Sequence, residues 1–150
     1  MKIHLATDHA GFELKEALKP YLVSLGHDVE DHGAVAYDAD DDYPAYILAA
    51  ARAVARDESA RAIVLGKSGQ GEAMVANRVP GVRAAVFYGG SMDVVRLSRE
   101  HNDANVLSLG AQFVAKEEAE KAVRLWLATS FSGELRHIRR KETIEELTRS

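Results

Sequence analysis

A glycine-rich segment that ends in a carboxylate is the part of this sequence best suited to chemistry. Residues 66–72 read Gly-Lys-Ser-Gly-Gln-Gly-Glu, between an aliphatic run and a short helical pattern. The glycines allow a sharp turn whose free amides, at the positive end of a helix, can bind an anion. Glu72 follows directly, and a base beside amide donors is what proton abstraction next to a carbonyl requires. The alternative is a surface Glu72 that only complements the helix dipole.

This segment departs from the two common nucleotide-binding patterns. It lacks the third glycine and the downstream acidic residue of the dinucleotide fingerprint, and its Gly-Lys-Ser stands at the start of the segment, not at its end as in a P-loop. NAD and ATP are therefore poor candidates, and we expect no cofactor.

Two histidines lie beside polar neighbours at the predicted ends of elements. His9 follows Asp8, and His101 precedes Asn102. Either imidazole could act as an acid or base near neutral pH, or serve as a helix cap or packing residue. The residue types alone leave both interpretations open.

Charged residues cluster in two further places. Arg136 and Arg140 share one helical face if the last helix begins early enough, and two guanidinium groups on one face can clamp a phosphate. The alternative is a solvated helix end. Residues 38–42 are acidic but lack the glycine and terminal glutamate of a calcium-binding loop. We expect a solvated loop there, and no metal site.

Length and composition exclude several functional classes. The 150 residues carry 19 Lys plus Arg against 23 Asp plus Glu, so the net charge of -4 offers no basic field to nucleic acid or an anionic membrane. The absence of cysteine excludes disulfides, thiolate metal sites and cysteine nucleophiles, and it favours a reducing compartment. Without a signal-peptide pattern or a long apolar run, we expect a soluble cytoplasmic protein of one domain, residues 1–150.

Short aliphatic runs alternate with longer amphipathic ones, which is typical of a parallel sheet with helical crossovers. Strands are predicted at residues 3–7, 27–31, 62–65, 82–87 and 105–109. Helices are predicted at residues 12–25, 44–56, 72–77, 91–101, 116–128 and 139–147. The first helix is expected to bury Phe12, Leu14 and Leu18, to kink at Pro20 and to end at Gly26.

These elements indicate an α/β protein with a doubly wound, Rossmann-like three-layer fold around a five-stranded parallel sheet. Ligands of such folds bind at the carboxyl ends of the strands. Residues 8–9, 66–72 and 110–112 are polar and follow three predicted strand ends. We therefore expect these three segments to line one crevice.

Taken together, the sequence resembles the ribose-5-phosphate isomerase B family, which includes the galactose-6-phosphate isomerase subunits. The matching segments are residues 8–11, 42–44, 66–72 with 76–78, 99–107, and 136–137 with 140. They occur in order over nearly the whole chain. Each motif is short, but five in order in a chain of fitting length make the resemblance specific.

The resemblance implies roles for the reactive residues. Glu72 matches the carboxylate base of the branch that uses glutamate, whereas other members place a cysteine where this chain has Gly66. His101 would open the furanose ring, and Asp8 would hold sugar hydroxyls nearby. Ser68 matches a hydroxyl residue that helps to move protons between the O1 and O2 oxygens.

The resemblance also implies how the substrate is bound. Asn102 is expected at the enediolate and Tyr43 at the sugar. The amides of Gly69, Gln70, Gly71 and Glu72 are expected to form the anion hole. His9, Arg136 and Arg140 are expected to bind the phosphate. The family builds this site across a homodimer interface. Part of each site is therefore expected from a second subunit, with a tetramer left open.

One position departs from the family pattern. Many relatives have an arginine where this chain has Gln112. A hydrogen bond to a charged group, typically about 1.5–3 kcal/mol, would then be missing. The phosphate would bind more weakly, or the substrate would be shorter or differently placed.

The sequence thus predicts a metal-independent aldose-ketose isomerase that interconverts ribose 5-phosphate and ribulose 5-phosphate through a cis-enediolate. A base, an anion-binding turn, a histidine and two arginines are expected on adjacent loops of one fold. One alternative is isomerisation of a four-carbon ketose phosphate or of allose or galactose 6-phosphate. The other is a non-catalytic module that binds a phosphosugar or a nucleotide. In each case the partner is a small molecule, not nucleic acid or membrane.

Overall fold

Short aliphatic segments form a five-stranded parallel sheet in the computed structural model, which describes residues 1–149. The strands are β1 (Lys2–Thr7), β2 (Asp28–Asp31), β3 (Arg61–Gly66), β4 (Ala84–Phe87) and β5 (Val106–Gly110). Their order across the sheet is β2-β1-β3-β5-β4. The chain leaves β1 toward β2 and later returns to add β3 on the other side, so the order reverses between β1 and β3. A crevice opens at such a point, at the carboxyl ends of the strands.

Six helices cover the sheet and one of its edges. They are α1 (Phe12–Ser24), α2 (Tyr43–Arg56), α3 (Gln70–Ala76), α4 (Met92–Glu100), α5 (Lys116–Ala128) and α6 (Leu135–Thr148). Side chains alternate along a strand, so the central strands contribute to two cores, one on each face of the sheet. Ile3 and Leu5 of β1 belong to the core that α1, α4 and α5 cover. Ala6 belongs to the opposite core, which α2 and α3 cover. The predicted three-layer fold is confirmed.

The buried stripe of α1 differs from the prediction. Phe12 and Leu14 are only partly buried, whereas Lys15 is fully buried beside Leu18. Lys15 is tolerated there because its Nζ donates to Asp31 Oδ2 at 2.5 Å and to the Ala34 carbonyl at 2.7 Å. A paired lysine therefore takes a position that hydrophobic periodicity alone would give to an aliphatic residue.

Two helix boundaries were predicted wrongly. α3 begins at Gln70, two residues earlier than expected, and α6 begins at Leu135 instead of residue 139. The earlier start of α6 follows from a polar core contact. His137 is buried and its Nδ1 lies 2.8 Å from the Ser132 hydroxyl, which also accepts from the Glu134 amide. A buried histidine does not count as an apolar residue in a hydrophobic pattern, so hydrophobic periodicity does not predict the first turn of α6.

Ion pairs attach α6 to the amino-terminal edge of the sheet. Asp103, just before β5, accepts from Lys141 of α6 at 3.0 Å and from Arg99 of α4 at 2.9 Å. Arg83, just before β4, pairs with Glu145 of α6 at 3.2 Å. These contacts fix the edge at which the side chains of α6 are presented.

The helices were also compared with the dimensions of a lipid bilayer. Within residues 1–149, no helix combines the length and the apolar character needed to cross one.

Candidate active site

Glu72 is a buried carboxylate in the first turn of α3. Its side chain packs directly on Gly66, so closely that a Cβ atom at Gly66 would overlap the carboxylate. Burial raises the pKa of Glu72 above its ordinary value, and the negative charge of Asp8 raises it further. A carboxylate of raised pKa accepts and returns protons near neutral pH more readily than an ordinary glutamate.

The glycine-rich turn before α3 is fixed against the end of β5. Gly69 has a φ of 79°, a conformation that favours glycine, and its carbonyl accepts from the Ser108 hydroxyl at 2.6 Å. The amides of Ala111 and Gln112 donate to the carbonyls of Gly66 and Lys67 at 2.8 and 3.1 Å. The first amides of α3, from Gln70 onward, point out of the helix toward this turn. This arrangement suits the binding of an anionic oxygen.

Asp8 and His9 lie at the end of β1, beside the same crevice. Asp8 is buried and its Oδ1 accepts from the Ala10 amide at 2.9 Å, which orders a short 3-10 turn over residues 9–11. His9 contacts Asp41 Oδ1 through both its amide, at 2.9 Å, and its Nδ1, at 2.7 Å. The hydrogen bond to Asp41 raises the pKa of His9 and favours the imidazolium form.

The acidic loop is only partly solvated, which corrects the expectation for residues 38–42. The Asp41 side chain is 6% exposed, whereas Asp38 and Asp40 are exposed. Burial of Asp41 is possible because its carboxylate accepts two hydrogen bonds from His9. No spacing rule distinguishes Asp41 from its acidic neighbours, so sequence reasoning missed it.

Tyr43 closes another side of this crevice. It begins α2, next to Pro44, and its ring lies over Gly71. A Cβ atom at Gly71 would lie 2.7 Å from Tyr43 Cζ, so glycine is required for this approach. The structure therefore brings Asp8, His9 and Tyr43 together with the glycine-rich turn and Glu72. We call this set the carboxyl-edge group.

A second group of predicted residues lies at the opposite edge. α4 runs antiparallel to the strands, so His101 and Asn102, which follow it, are at the amino-terminal edge. The His101 ring packs on the His137 ring, with centroids 4.3 Å apart. His101, Asn102 and Arg140 line one cavity of about 470 Å³. Burial lowers the pKa of His137, and His101 lowers it further, which disfavours the imidazolium form of the ring that packs under His101.

The two predicted arginines lie at the same edge as His101 and Asn102, and we call these four residues the amino-edge group. α6 begins at Leu135, so Arg136 and Arg140 fall within one helix and on one face, as the spacing predicted. Both are exposed, and Arg136 Nε donates to Glu134 Oε2 at 2.9 Å. Gln112, the residue that departs from the family pattern, is exposed at the carboxyl edge.

The expectation that these groups lie on adjacent loops of one fold does not hold within a single chain. β5 separates the two edges, and its five residues span roughly 16 Å at about 3.3 Å per residue. The reason is topological: α4 starts at the carboxyl edge and carries the chain back before His101 is reached. One chain therefore presents two separate groups, one with Glu72 and one with His101.

Comparison with known proteins places this geometry in a family. A model of the Ribose/Galactose Isomerase family matches residues 3–144. The chain therefore belongs to that family. It is a sugar-phosphate isomerase, an enzyme that oxidises one carbon of its substrate and reduces the neighbouring one.

Individual relatives agree over the full length. The chain is 42% identical to ribose-5-phosphate isomerase B of Mycolicibacterium paratuberculosis, over 100% of this chain and 93% of the relative. The structure of the Clostridium thermocellum ribose-5-phosphate isomerase B is similar, with a TM-score of 0.92, 40% identity and coverage of 98% and 97%. The Mycoplasma genitalium enzyme with bound ribulose-5-phosphate gives a TM-score of 0.92 at 35% identity, covering 97% of this chain and 95% of that one.

Proposed function

We propose that this isomerase interconverts ribose 5-phosphate and ribulose 5-phosphate through a cis-enediolate, with Glu72 as the base. The observation that carries the proposal is the buried Glu72 carboxylate, of raised pKa, next to the amides of the glycine-rich turn. Relatives named ribose-5-phosphate isomerase B support the choice of substrate, as does the Mycoplasma genitalium structure with ribulose-5-phosphate.

The proton chemistry follows from this placement. Glu72 removes the C2 proton of the open-chain aldose, and the electron pair moves into an enediolate whose oxygen faces the amides of residues 69–72. Ser68 moves a proton between O1 and O2. Glu72 then returns its proton to C1, which gives the ketose and regenerates the carboxylate. The reaction is balanced without a cofactor.

The active site is assembled from two subunits of a homodimer. One subunit supplies the carboxyl-edge group, in which Asp8 and Tyr43 hold the sugar hydroxyls. The partner supplies the amino-edge group, in which His101 opens the furanose ring and Asn102 contacts the enediolate. Two observations support this arrangement: the groups lie at opposite edges of one chain, and neither contains both the base and the ring-opening imidazole.

The phosphate is held by cations from both subunits. His9 is favoured as an imidazolium by Asp41, and Arg136 and Arg140 of the partner lie on one exposed helical face. Charge-assisted hydrogen bonds from such groups are the strong ones. This local arrangement compensates for a chain whose net charge is -4.

A second candidate substrate class is favoured by Gln112. This residue is neutral and exposed at the carboxyl edge, beside the turn that binds the enediolate. A site with one cation fewer suits a phosphate that sits at a different distance from the reacting carbons. Four-carbon ketose phosphates and allose or galactose 6-phosphate are the candidates of this class.

Turnover of a panel of four-, five- and six-carbon sugar phosphates in deuterated water tests the proposal. We expect the highest kcat/KM on ribose 5-phosphate, with solvent deuterium incorporated at C1 of the ketose product. A higher kcat/KM on a four- or six-carbon sugar phosphate would mean that this sugar phosphate is the preferred substrate of the same isomerisation reaction. Product that carries no solvent deuterium at C1, formed with no isotope effect from a C2-deuterated substrate, would contradict proton abstraction at C2.

A further inference from the structure

Outside the active site, two histidines and a glutamate come together on neighbouring strands. His4 of β1 pairs in register with Glu30 of β2, and His32 lies two residues beyond Glu30, on the same face of the sheet. The His32 amide donates to the Leu5 carbonyl at 2.9 Å, which continues the strand pairing. The three side chains are therefore fixed by backbone hydrogen bonds and not by a loop.

The side-chain nitrogen and oxygen atoms that could bind a metal ion lie close together. His4 Nδ1 lies 2.9 Å from His32 Nε2, and Glu30 places carboxylate oxygens 3.9 Å from His4 Nδ1 and 3.6 Å from His32 Nε2. One donor atom from each residue lies within 4.8 Å of the other two. In a tetrahedral zinc site with Zn–N distances of 2.0–2.1 Å, neighbouring ligand atoms are about 3.3 Å apart. The shortest separation of each pair is within about 0.6 Å of that value, with one oxygen of Glu30 nearest His4 and the other nearest His32.

We propose that His4, Glu30 and His32 form a binding site for a divalent transition-metal ion such as Zn²⁺, separate from the active site. Two imidazoles and one carboxylate are ligands that Zn²⁺ accepts, with water in the fourth position. The His4 side chain is 6% exposed, His32 16% and Glu30 48%, so the ion would enter from the solvent side at Glu30.

One cation already interacts with this cluster. Lys2 Nζ lies 3.2 Å from Glu30 Oε2 and 3.1 Å from Asp28 Oδ2. A bound metal ion would compete with Lys2 for the Glu30 carboxylate, and the two positive charges would repel each other. Two kinds of substitution should therefore change metal binding in opposite directions. Removal of the Lys2 charge strengthens the binding of the ion, whereas removal of an imidazole weakens it.

The test is calorimetric titration of the chelator-stripped full chain with Zn²⁺, together with the visible absorption of Co²⁺ as a probe of coordination. We expect one equivalent of tight binding. H4Q and H32Q should each weaken it by about 100-fold or more, because each removes a direct ligand. K2Q should strengthen it several-fold, because a like charge is removed. H27Q is the matched control, since His27 precedes β2 and lies near the amino terminus.

Thermal unfolding gives a second readout for the same variants. An ion that binds only the folded chain raises Tm with concentration, so Zn²⁺ should stabilise the parent and H27Q but not H4Q or H32Q. Absence of one-equivalent binding by the parent, or binding of equal strength in H4Q, H32Q and the parent, would overturn the proposal. A decrease that appears equally in H27Q would assign the ion to another place on the chain.

Discussion

The Glu72 carboxylate occupies the space that any side chain at Gly66 would need. These two positions are therefore coupled: the Glu72 carboxylate of α3 can lie where it does because residue 66 of β3 is a glycine. The family resemblance places the cysteine of the other branch at this same position. A thiol at position 66 and the Glu72 carboxylate in its present place would compete for the same space.

Replacement of Gly66 by alanine should displace the Glu72 carboxylate. We expect kcat to fall by about 100-fold, within the range that a general base supplies, and stability to fall by about 1–3 kcal/mol from overpacking. E72A should relieve the overlap, so the double variant G66A/E72A should be more stable than the sum of the single changes predicts. Chemical denaturation of the four proteins measures this coupling, and strict additivity would contradict the contact.

Replacement of Glu72, the proposed base, should abolish most turnover without loss of fold. E72Q keeps the size of the side chain but cannot accept the proton, so kcat should fall by about 10² to 10⁴. E117Q is the matched control, since Glu117 lies in the first turn of α5, is exposed, and should tolerate the change. Near-normal turnover by E72Q would assign the base to another residue.

The same substitution should stabilise the protein at neutral pH. Burial raises the pKa of Glu72, so the folded chain binds this proton more tightly than the unfolded chain does. The stability linked to the bound proton is complete below the ordinary pKa of glutamate and is lost as pH rises through the raised pKa. E72Q avoids that loss. Its Tm should exceed that of the parent at pH 7, and the difference should shrink as the pH is lowered toward 4. A constant difference would mean that another group dominates.

Asp41 should act on the substrate through His9. D41N weakens the hydrogen bond that raises the pKa of His9 and so reduces the imidazolium available to the phosphate. We expect KM to rise about tenfold at pH 7.5, the scale of one charge-assisted contact, with kcat nearly unchanged. The difference should narrow at lower pH, where His9 is protonated in both proteins. D40N, an exposed neighbour in the same loop, is the control, and an equal effect there would argue for a general change in loop charge.

Mixed dimers should recover activity from two inactive chains. E72Q and H101N each damage a different edge of the chain, so a heterodimer with a shared site contains one intact active site and one doubly damaged site. Random mixing should restore about a quarter of the parental activity, since about half the dimers are mixed and each has one working site. No recovery after verified subunit exchange would mean that both residues act within one chain.

Much of the fold could be predicted because its causes are local. Within residues 1–149, the aliphatic runs, the glycines between them and the amphipathic spacing predicted all five strands and all six α-helices. Most boundaries were predicted to within two residues. Two failures, the buried face of α1 and the start of α6, occurred where a polar residue is buried against a polar partner. Lys15 needs Asp31, and His137 needs Ser132 and His101, and such pairs have no periodic signature.

The candidate site was predictable in its residue types but not in its layout. The turn at residues 66–72 could be assigned to a strand end, because glycines between a strand and a helix have local meaning. The separation of His101 from Glu72 depends on which edge α4 returns to, which is a property of the whole crossover. The His4, Glu30 and His32 cluster likewise depends on the register between β1 and β2.

Because the reactive groups are divided between the two edges of the sheet, the reaction rate should depend on protein concentration in an unusual way. Under the proposed shared site, a newly made chain has no activity until it meets a copy of itself. At concentrations below the dimer dissociation constant, the rate would rise with the square of the amount of protein. A weakened interface would then appear in assays as a loss of catalysis that added enzyme reverses.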